Sequence, residues 1–263
     1  MLLAALSMVN QSGLTVSLDH LSFEDVIRDA RVSRSAVYRR WPYKDLFFSD
    51  LLKELARGAT PAAISGEAAS APEIRRVALE HLDWLATPQL RANLALELMR
   101  QAALHDFETM HGSTEWRTYL ALHATFLSVA DDGLRSDLQT ALAVSERDFI
   151  DRIARSWERL CALLGYRLRP DLDATFETFA SLISASLRGL VLMALSTPDI
   201  ATRRIEARPF GAIQTAEWSQ PAIALTSLAL AFLEPDPTID WTDERITSIR
   251  TALAVIPRQV VDE

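Results

Sequence analysis

Residues 31–44, with the sequence RVSRSAVYRRWPYK, bring together side chains that could bind a polyanion. The stretch holds five basic residues and no acidic one, in a chain whose formal net charge is −8. Arginine can bind guanine edges or phosphate, serine can bind either a base edge or a phosphate, and alanine can contact a thymine methyl group. The residue types therefore predict a surface that meets the phosphate backbone and the bases of duplex DNA.

The predicted DNA contacts are the polar and small residues at the outward positions of this stretch. They are Arg31, Ser33, Arg34, Ser35, Ala36, Tyr38, Arg39, Arg40 and Lys44. We expect Tyr38 and Lys44 to bind phosphate, with Lys44 adding its charge to the free N–H groups of a helix start. We expect Arg34, Ser35 and Arg39 to reach base edges, since the first turn of such a helix points into the groove.

Four short helices are predicted to position these side chains. Residues 2–12 form the first, and Ser22 begins the second, with Asp25 three residues on as a weak capping box. Ser33 can cap a third helix that runs to about Arg40, where Pro42 stops it. Two short helices joined by a tight turn form a helix-turn-helix pattern, whose second helix enters the major groove.

Apolar residues at helical spacing are expected to hold these helices together. Val32, Val37 and Trp41 are predicted to face inward and to fix the crossing of the second and third helices. The fourth helix, residues 44–57, has an apolar stripe. The stripe consists of Leu46, Phe47, Leu51, Leu52 and Leu55.

Charge and composition divide the chain into two predicted domains. Residues 1–58 carry eight basic and seven acidic side chains, whereas the remainder carries 19 basic and 28 acidic ones. An acidic body is repelled by a polyanion, so contact with nucleic acid must come through the head. Residues 58–72 are rich in small residues, Pro and Gly, which is typical of a linker. We therefore predict a DNA-binding domain over 1–58 and a helical body over 73–263.

The body is predicted to be helical, which makes the fold class all-α. Its expected helices cover roughly 73–86, 89–110, 114–130, 134–165, 172–196, 217–233 and 242–256. No alternating pattern indicates a strand, and no apolar run reaches 18 residues, so a membrane span is not expected. The apolar start, MLLAALSMV, lacks a basic region and a cleavage motif and is interpreted as a helix rather than a signal peptide.

Residues 21–47, LSFEDVIRDARVSRSAVYRRWPYKDLF, resemble the helix-turn-helix of the tetracycline-repressor (TetR) family of bacterial transcription regulators. The matching features are Ala30-Arg31-Val32 at the turn, Ser33 to Tyr38, Trp41-Pro42-Tyr43-Lys44 and Asp45-Leu46. The resemblance implies a head of three helices plus a connecting fourth, followed by a larger helical body. It also implies a homodimer that binds a palindromic DNA operator and is released by a small ligand.

Arg31 stands where this family usually has glycine. If the position needs a positive φ, arginine there costs on the order of 1 kcal/mol. Arg31, together with the lack of a basic arm ahead of the first predicted helix, supports an alternative function. In that alternative the chain is a helical protein-interaction or adaptor module that has lost DNA binding. An enzyme is not predicted, because no nucleophile, metal-protease, phosphate-loop or dinucleotide motif is found.

The resemblance also implies an effector pocket and a dimer interface in the body. The predicted pocket residues, for an apolar small molecule, are Trp84, Met99, Trp116, Tyr119, Phe126 and Trp157. The predicted interface residues, on two helices apolar nearly all round, are Phe179, Ile183, Leu187, Leu190, Ile223 and Leu230. The alternatives are plain core residues for the first set and a central helix of a monomer for the second.

Neither a cofactor nor a metal ion is predicted. His81, His105, His111 and His123 include no pair at i, i+4, the spacing that places two imidazoles on one helical face. Cys161 is the single cysteine of the sequence, so no internal disulfide can form and a reducing compartment is expected. We interpret Cys161 as a small apolar residue on a helix, and we predict a cytoplasmic protein.

Overall fold

A computed structural model describes residues 1–12, 21–58 and 71–255 of the chain. These residues are mostly helical, which confirms the all-α expectation. The helices are α1 (Leu2–Ser12), α2 (Phe23–Asp29), α3 (Arg34–Arg40), α4 (Lys44–Gly58), α5 (Ala71–Glu80), α6 (Pro88–Gly112), α7 (Thr114–Ser128), α8 (Asp132–Leu164), α9 (Phe176–Ala194), α10 (Asp199–Thr202), α11 (Gln220–Phe232) and α12 (Asp243–Val255). The predicted linker lies almost entirely outside the described residues.

The described residues also contain four short strands, so the expectation of no strand was wrong. β1 (Tyr166–Leu168) pairs antiparallel with β4 (Leu233–Pro235), and β2 (Arg204–Ala207) pairs antiparallel with β3 (Ala216–Ser219). Each strand has only three or four residues. A run of that length cannot display the alternation by which a strand is detected in a sequence.

The chain divides into two compact units that differ from the predicted domains. The first contains residues 1–66 and 112–149, and the second contains residues 67–111 and 150–263. The first unit thus adds α7 and the first half of α8 to the head. The predicted boundary between 58 and 73 stays a prediction, because residues 59–70 are not described.

The core of the first unit explains why α7 and α8 join the head. Ala5 and Val9 of α1 are fully buried among side chains of α4 and α7. Leu138 of α8 belongs to the same apolar cluster and is also fully buried. Outside this core, Lys53 of α4 and Asp137 of α8 form an ion pair over 2.7 Å. Leu46, which was predicted in the apolar stripe of α4, is instead half exposed.

The second unit is built on the packing of α9 against α11. The β2–β3 hairpin is attached to α6 by polar side chains of that helix. Asn93 is buried and accepts the backbone N–H of Ile213 at 2.7 Å, and Arg100 donates to the backbone oxygen of Glu217 at 2.9 Å. A buried polar side chain with its bonds satisfied helps to fix the position of the loop between β2 and β3.

Helix α9 has two apolar faces, and the chain covers one of them. Phe179, Ile183 and Leu187 are buried, whereas Leu182 and Met193 are 42% and 55% exposed. By length and composition α9 is the single helix in the described ranges that could cross a membrane. A core helix of a soluble protein passes the same test, and the buried face of α9 is compatible with that interpretation.

Candidate nucleic-acid interface

The turn between α2 and α3 is shaped by two serine caps and one left-handed residue. Ser22 Oγ accepts the Asp25 N–H at the start of α2, and Ser33 Oγ accepts the Ala36 N–H at the start of α3, both over 3.3 Å. Arg31 has φ of 53°, in the left-handed region that favours glycine. The turn therefore requires a positive φ at residue 31, where the TetR family usually has glycine, and Arg31 adopts this backbone conformation.

An aromatic cluster orients α3 on its neighbours. The ring of Phe23 on α2 makes an edge contact with Tyr38 on α3, with centroids 5.8 Å apart, and another with Phe47 on α4, at 5.2 Å. Trp41, the residue after α3, packs on the edge of Phe47 at 5.2 Å. Val37 is buried as predicted and Trp41 is half-buried, but Val32 is exposed, because it lies in the turn outside the helix contact.

Helix α3 buries one residue and exposes the other six. Val37 faces the protein, while all nine predicted DNA contacts are exposed. Three of the seven residues of α3 are arginines. Lys44 is exposed at the first position of α4, so an anion bound by its ammonium could also be reached by the free N–H groups of that helix end. The structure therefore brings the predicted contacts onto one short exposed segment.

Two of the predicted contacts share a carboxylate that no sequence pattern indicated. Glu24, in the first turn of α2, lies with Oε2 2.6 Å from Arg34 Nη2. The hydroxyl of Tyr38 donates to Glu24 Oε1 at 3.3 Å. Glu24 precedes these partners by 10 and 14 residues, a separation that no helical spacing rule covers. The pairing of Glu24 depends on the way α2 and α3 pack against each other.

The other cationic side chains of residues 31–44 differ from Arg34 in their acidic partners. Within the described residues, Arg31, Arg39 and Lys44 make no ion pair with an acidic side chain. The guanidinium of Arg40 lies 5.7 Å from the centre of the Trp41 ring, at the outer range of a cation–π contact. Arg31, Arg39 and Lys44 are consequently available to bind an anion without first leaving a carboxylate.

The predicted dimer residues do not share one surface. Phe179, Ile183 and Leu187 are buried within the single chain, so little of their area is exposed to a partner, and their assignment to a dimer interface stays a prediction. Leu190 and Ile223 are half-buried, and Leu230 is 43% exposed. The apolar side chains that α9 does expose lie on the opposite face of the helix. Because α9 is apolar on both faces, its periodicity could not indicate which face is buried within the chain.

The predicted pocket residues are divided between the two units. Trp116, Tyr119 and Phe126 belong to the first unit, and Trp84, Met99 and Trp157 belong to the second. Trp116 and Tyr119 are buried and pack edge to face at 5.2 Å, and the Tyr119 hydroxyl donates to Glu146 over 2.5 Å.

In the second unit, Trp84 stacks on His81 with centroids 4.2 Å apart, and Trp157 contacts the edge of Phe179 at 4.9 Å. Trp116 and Tyr119 therefore behave as core residues, and an effector pocket stays a prediction. Three or more His, Cys, Asp or Glu side chains arranged as metal ligands are not found among the described residues.

No family model matches the chain, and neither a curated protein sequence nor a solved structure matches it.

Proposed function

We propose that this protein is a DNA-binding transcription regulator, in which α2 and α3 form a helix-turn-helix and α3 enters the major groove. The resemblance of residues 21–47 to TetR regulators suggested this function. The geometry of α3 supports it independently. A seven-residue helix that buries only Val37 contributes little to the core, and its exposed residues are three arginines, one serine, one alanine and one tyrosine.

The observation that best supports this function is that all nine predicted contacts are exposed. They lie on a segment whose backbone is held by local contacts. The serine caps, the left-handed turn at Arg31 and the aromatic cluster around Phe23 hold the backbone of α3 in place. Rigid presentation matters because a loosely held helix would lose entropy when it binds. Arg39 then projects toward base edges, and Lys44 and Arg31 bind phosphates on either side.

We further propose that the regulator is a homodimer that binds a palindromic operator. A second copy would cover the outer face of α9, together with Leu230 of α11. That outer face consists of Leu182, Ala185, Gly189 and Met193. A Cβ built on Gly189 meets no atom within 4 Å, which supports the interpretation that the chain itself leaves this face uncovered. Ala185 and Gly189 are small, so a partner helix could approach the backbone closely.

A small apolar effector is proposed to release the protein from DNA, by analogy with the family that the head resembles. Half-buried Trp157, beside Phe179 in the second unit, is one predicted pocket residue that could contact such a molecule. The protein is proposed to act in the cytoplasm, in keeping with its single buried cysteine.

One observation favours a second function, a protein-interaction module. Glu24 already binds Arg34 and Tyr38, so part of the candidate DNA surface has a partner within the chain. Tyr43 and Leu46 are exposed beside it and could contribute to a protein contact.

Binding to random-sequence duplex DNA distinguishes the two functions. A regulator binds such DNA at low salt and dissociates as salt rises, because phosphate contacts release counterions. An adaptor shows no binding to the same duplex at any salt concentration. Selection of bound sequences from a random duplex pool then identifies the operator.

A further inference from the structure

Glu24 connects the first turn of α2 to the exposed face of α3. Its two carboxylate oxygens have different partners: Oε2 lies 2.6 Å from Arg34 Nη2, and Oε1 accepts the Tyr38 hydroxyl at 3.3 Å. The Tyr38 ring is held beside α2 by its edge contact with Phe23. Arg34 is 73% exposed and Glu24 46% exposed, so both side chains lie at the surface that DNA would meet.

The carboxylate changes what Arg34 can bind. A phosphate that approaches Arg34 also approaches the negative charge of Glu24, and the repulsion offsets the attraction of the guanidinium. The guanine atoms O6 and N7 belong to a neutral base and carry only partial negative charge, so Glu24 repels them much less than it repels a phosphate. A guanidinium has five N–H donors, so the donors that Glu24 does not use can still form the paired contact with guanine.

Tyr38 is affected in the same way. Its hydroxyl hydrogen points toward Glu24, and a phosphate that replaced Glu24 would have to displace a carboxylate from a partly exposed site. Arg31 and Lys44 have no acidic partner among the described residues, so the phosphate contacts fall to them. This distribution differs from the expectation that Tyr38 binds phosphate.

We propose that Glu24 is a specificity-determining residue of the DNA surface, a proposal that rests on the proposed DNA-binding function. By neutralising Arg34, Glu24 lowers the affinity for phosphate at the start of α3 and leaves base edges as the favoured partners. It is a positioning residue, because it acts through Arg34 and Tyr38. Its removal increases binding to all DNA and weakens the discrimination between sequences.

The substitution Glu24→Gln isolates the charge. Glutamine keeps the length of the side chain and an oxygen that accepts from Arg34 or Tyr38, but it carries no negative charge. The matched control is Asp25→Asn, which removes one charge from the neighbouring position of the same helix. Asp25 pairs with Arg28 on its own helix and not with α3. Thermal unfolding of each variant verifies that the fold is retained.

The experiment measures the affinity of the parent and both variants, over a salt series, for a random-sequence duplex and for an operator selected with the parent. For Glu24→Gln we expect tighter binding to the random duplex, a salt slope steeper by about one unit for the additional phosphate contact, and a smaller ratio of operator to random affinity. Asp25→Asn is expected to leave the salt slope and this ratio close to those of the parent.

Two results overturn the inference while the proposed function stands. In the first, the salt slope of Glu24→Gln on random duplex equals that of the parent. In the second, Glu24→Gln and Asp25→Asn change the salt slope and the affinity ratio by equal amounts. A parent protein that binds neither duplex at low salt contradicts the proposed function itself, and the inference falls with it.

Discussion

The indole Nε1 of Trp41 donates a hydrogen bond to Oδ2 of Asp50 over 2.9 Å. Trp41 follows the last residue of α3, and Asp50 lies within α4, so the bond connects the end of α3 to α4. The bond is partly buried and has a charged acceptor, which makes it stronger than a typical surface hydrogen bond.

Replacement of Trp41 by phenylalanine is expected to lower the free energy of unfolding by about 1–2 kcal/mol. Phenylalanine keeps an aromatic contact with Phe47 but leaves Asp50 without its donor. Urea unfolding of the variant measures the loss, and Tyr43→Phe, at a residue that is 73% exposed, provides a control with no expected change. An unchanged unfolding midpoint for Trp41→Phe would show that the bond does not stabilise the head.

Arg31 is expected to lower the stability of the fold and to strengthen DNA binding. Its left-handed backbone favours glycine, so Arg31→Gly should raise the free energy of unfolding by up to about 1 kcal/mol. The same change removes a cation and should weaken DNA binding. Arg31→Ala keeps the strain and removes the charge, so it should weaken DNA binding equally without the gain in stability. A lower free energy of unfolding for Arg31→Gly than for the parent would contradict the assignment of backbone strain to this turn.

The dimer is expected to depend on the outer face of α9. Leu182→Asp should yield a folded monomer in light scattering, because the charge lies on the face proposed to meet the partner. Ile183→Asp should instead lower the melting temperature, since Ile183 is buried in its own chain. Val144→Asp, at another exposed apolar residue, controls for a general effect of the charge. A monomeric parent protein would exclude the proposed interface.

Cys161 is expected to resist thiol reagents in the folded protein. Burial raises the pKa of its thiol to about 12, so the reactive thiolate is scarce at pH 8. Because the pKa rises above its unfolded value, the neutral thiol favours the folded state below pH 9, and this contribution is lost as the pH rises toward 12. Labelling with a chromogenic disulfide should be slow in buffer and fast in denaturant, and rapid labelling in both would contradict the burial.

Local features of the sequence predicted local features of the fold. Ser22, Ser33 and Pro42 gave the ends of α2 and α3 because caps and proline act on neighbouring backbone groups. Contacts between distant residues were not predictable in this way. The pairing of Glu24 with Arg34 depends on how two helices cross, and periodicity alone cannot give that geometry.

The two sides of α9 illustrate a second limit. Both of its stripes are apolar, so the sequence indicated that each needed to be covered but not which one the chain covers itself. Only the packing of α9 against α11 shows that Phe179 faces inward and Met193 outward. The strands of the two antiparallel pairs were missed for a different reason, because three or four residues carry too little pattern.

The measurement that decides the function is the affinity for duplex DNA as a function of salt, made with the parent protein and with Lys44→Ala. Lys44 lies at the start of α4 and has no acidic partner among the described residues, so its loss should weaken binding to operator and random duplex alike. We predict that the parent binds random duplex at low salt and that Lys44→Ala lowers the salt slope by about one unit. A parent that fails to bind duplex DNA at low salt would contradict DNA binding by this protein and would favour the protein-interaction module.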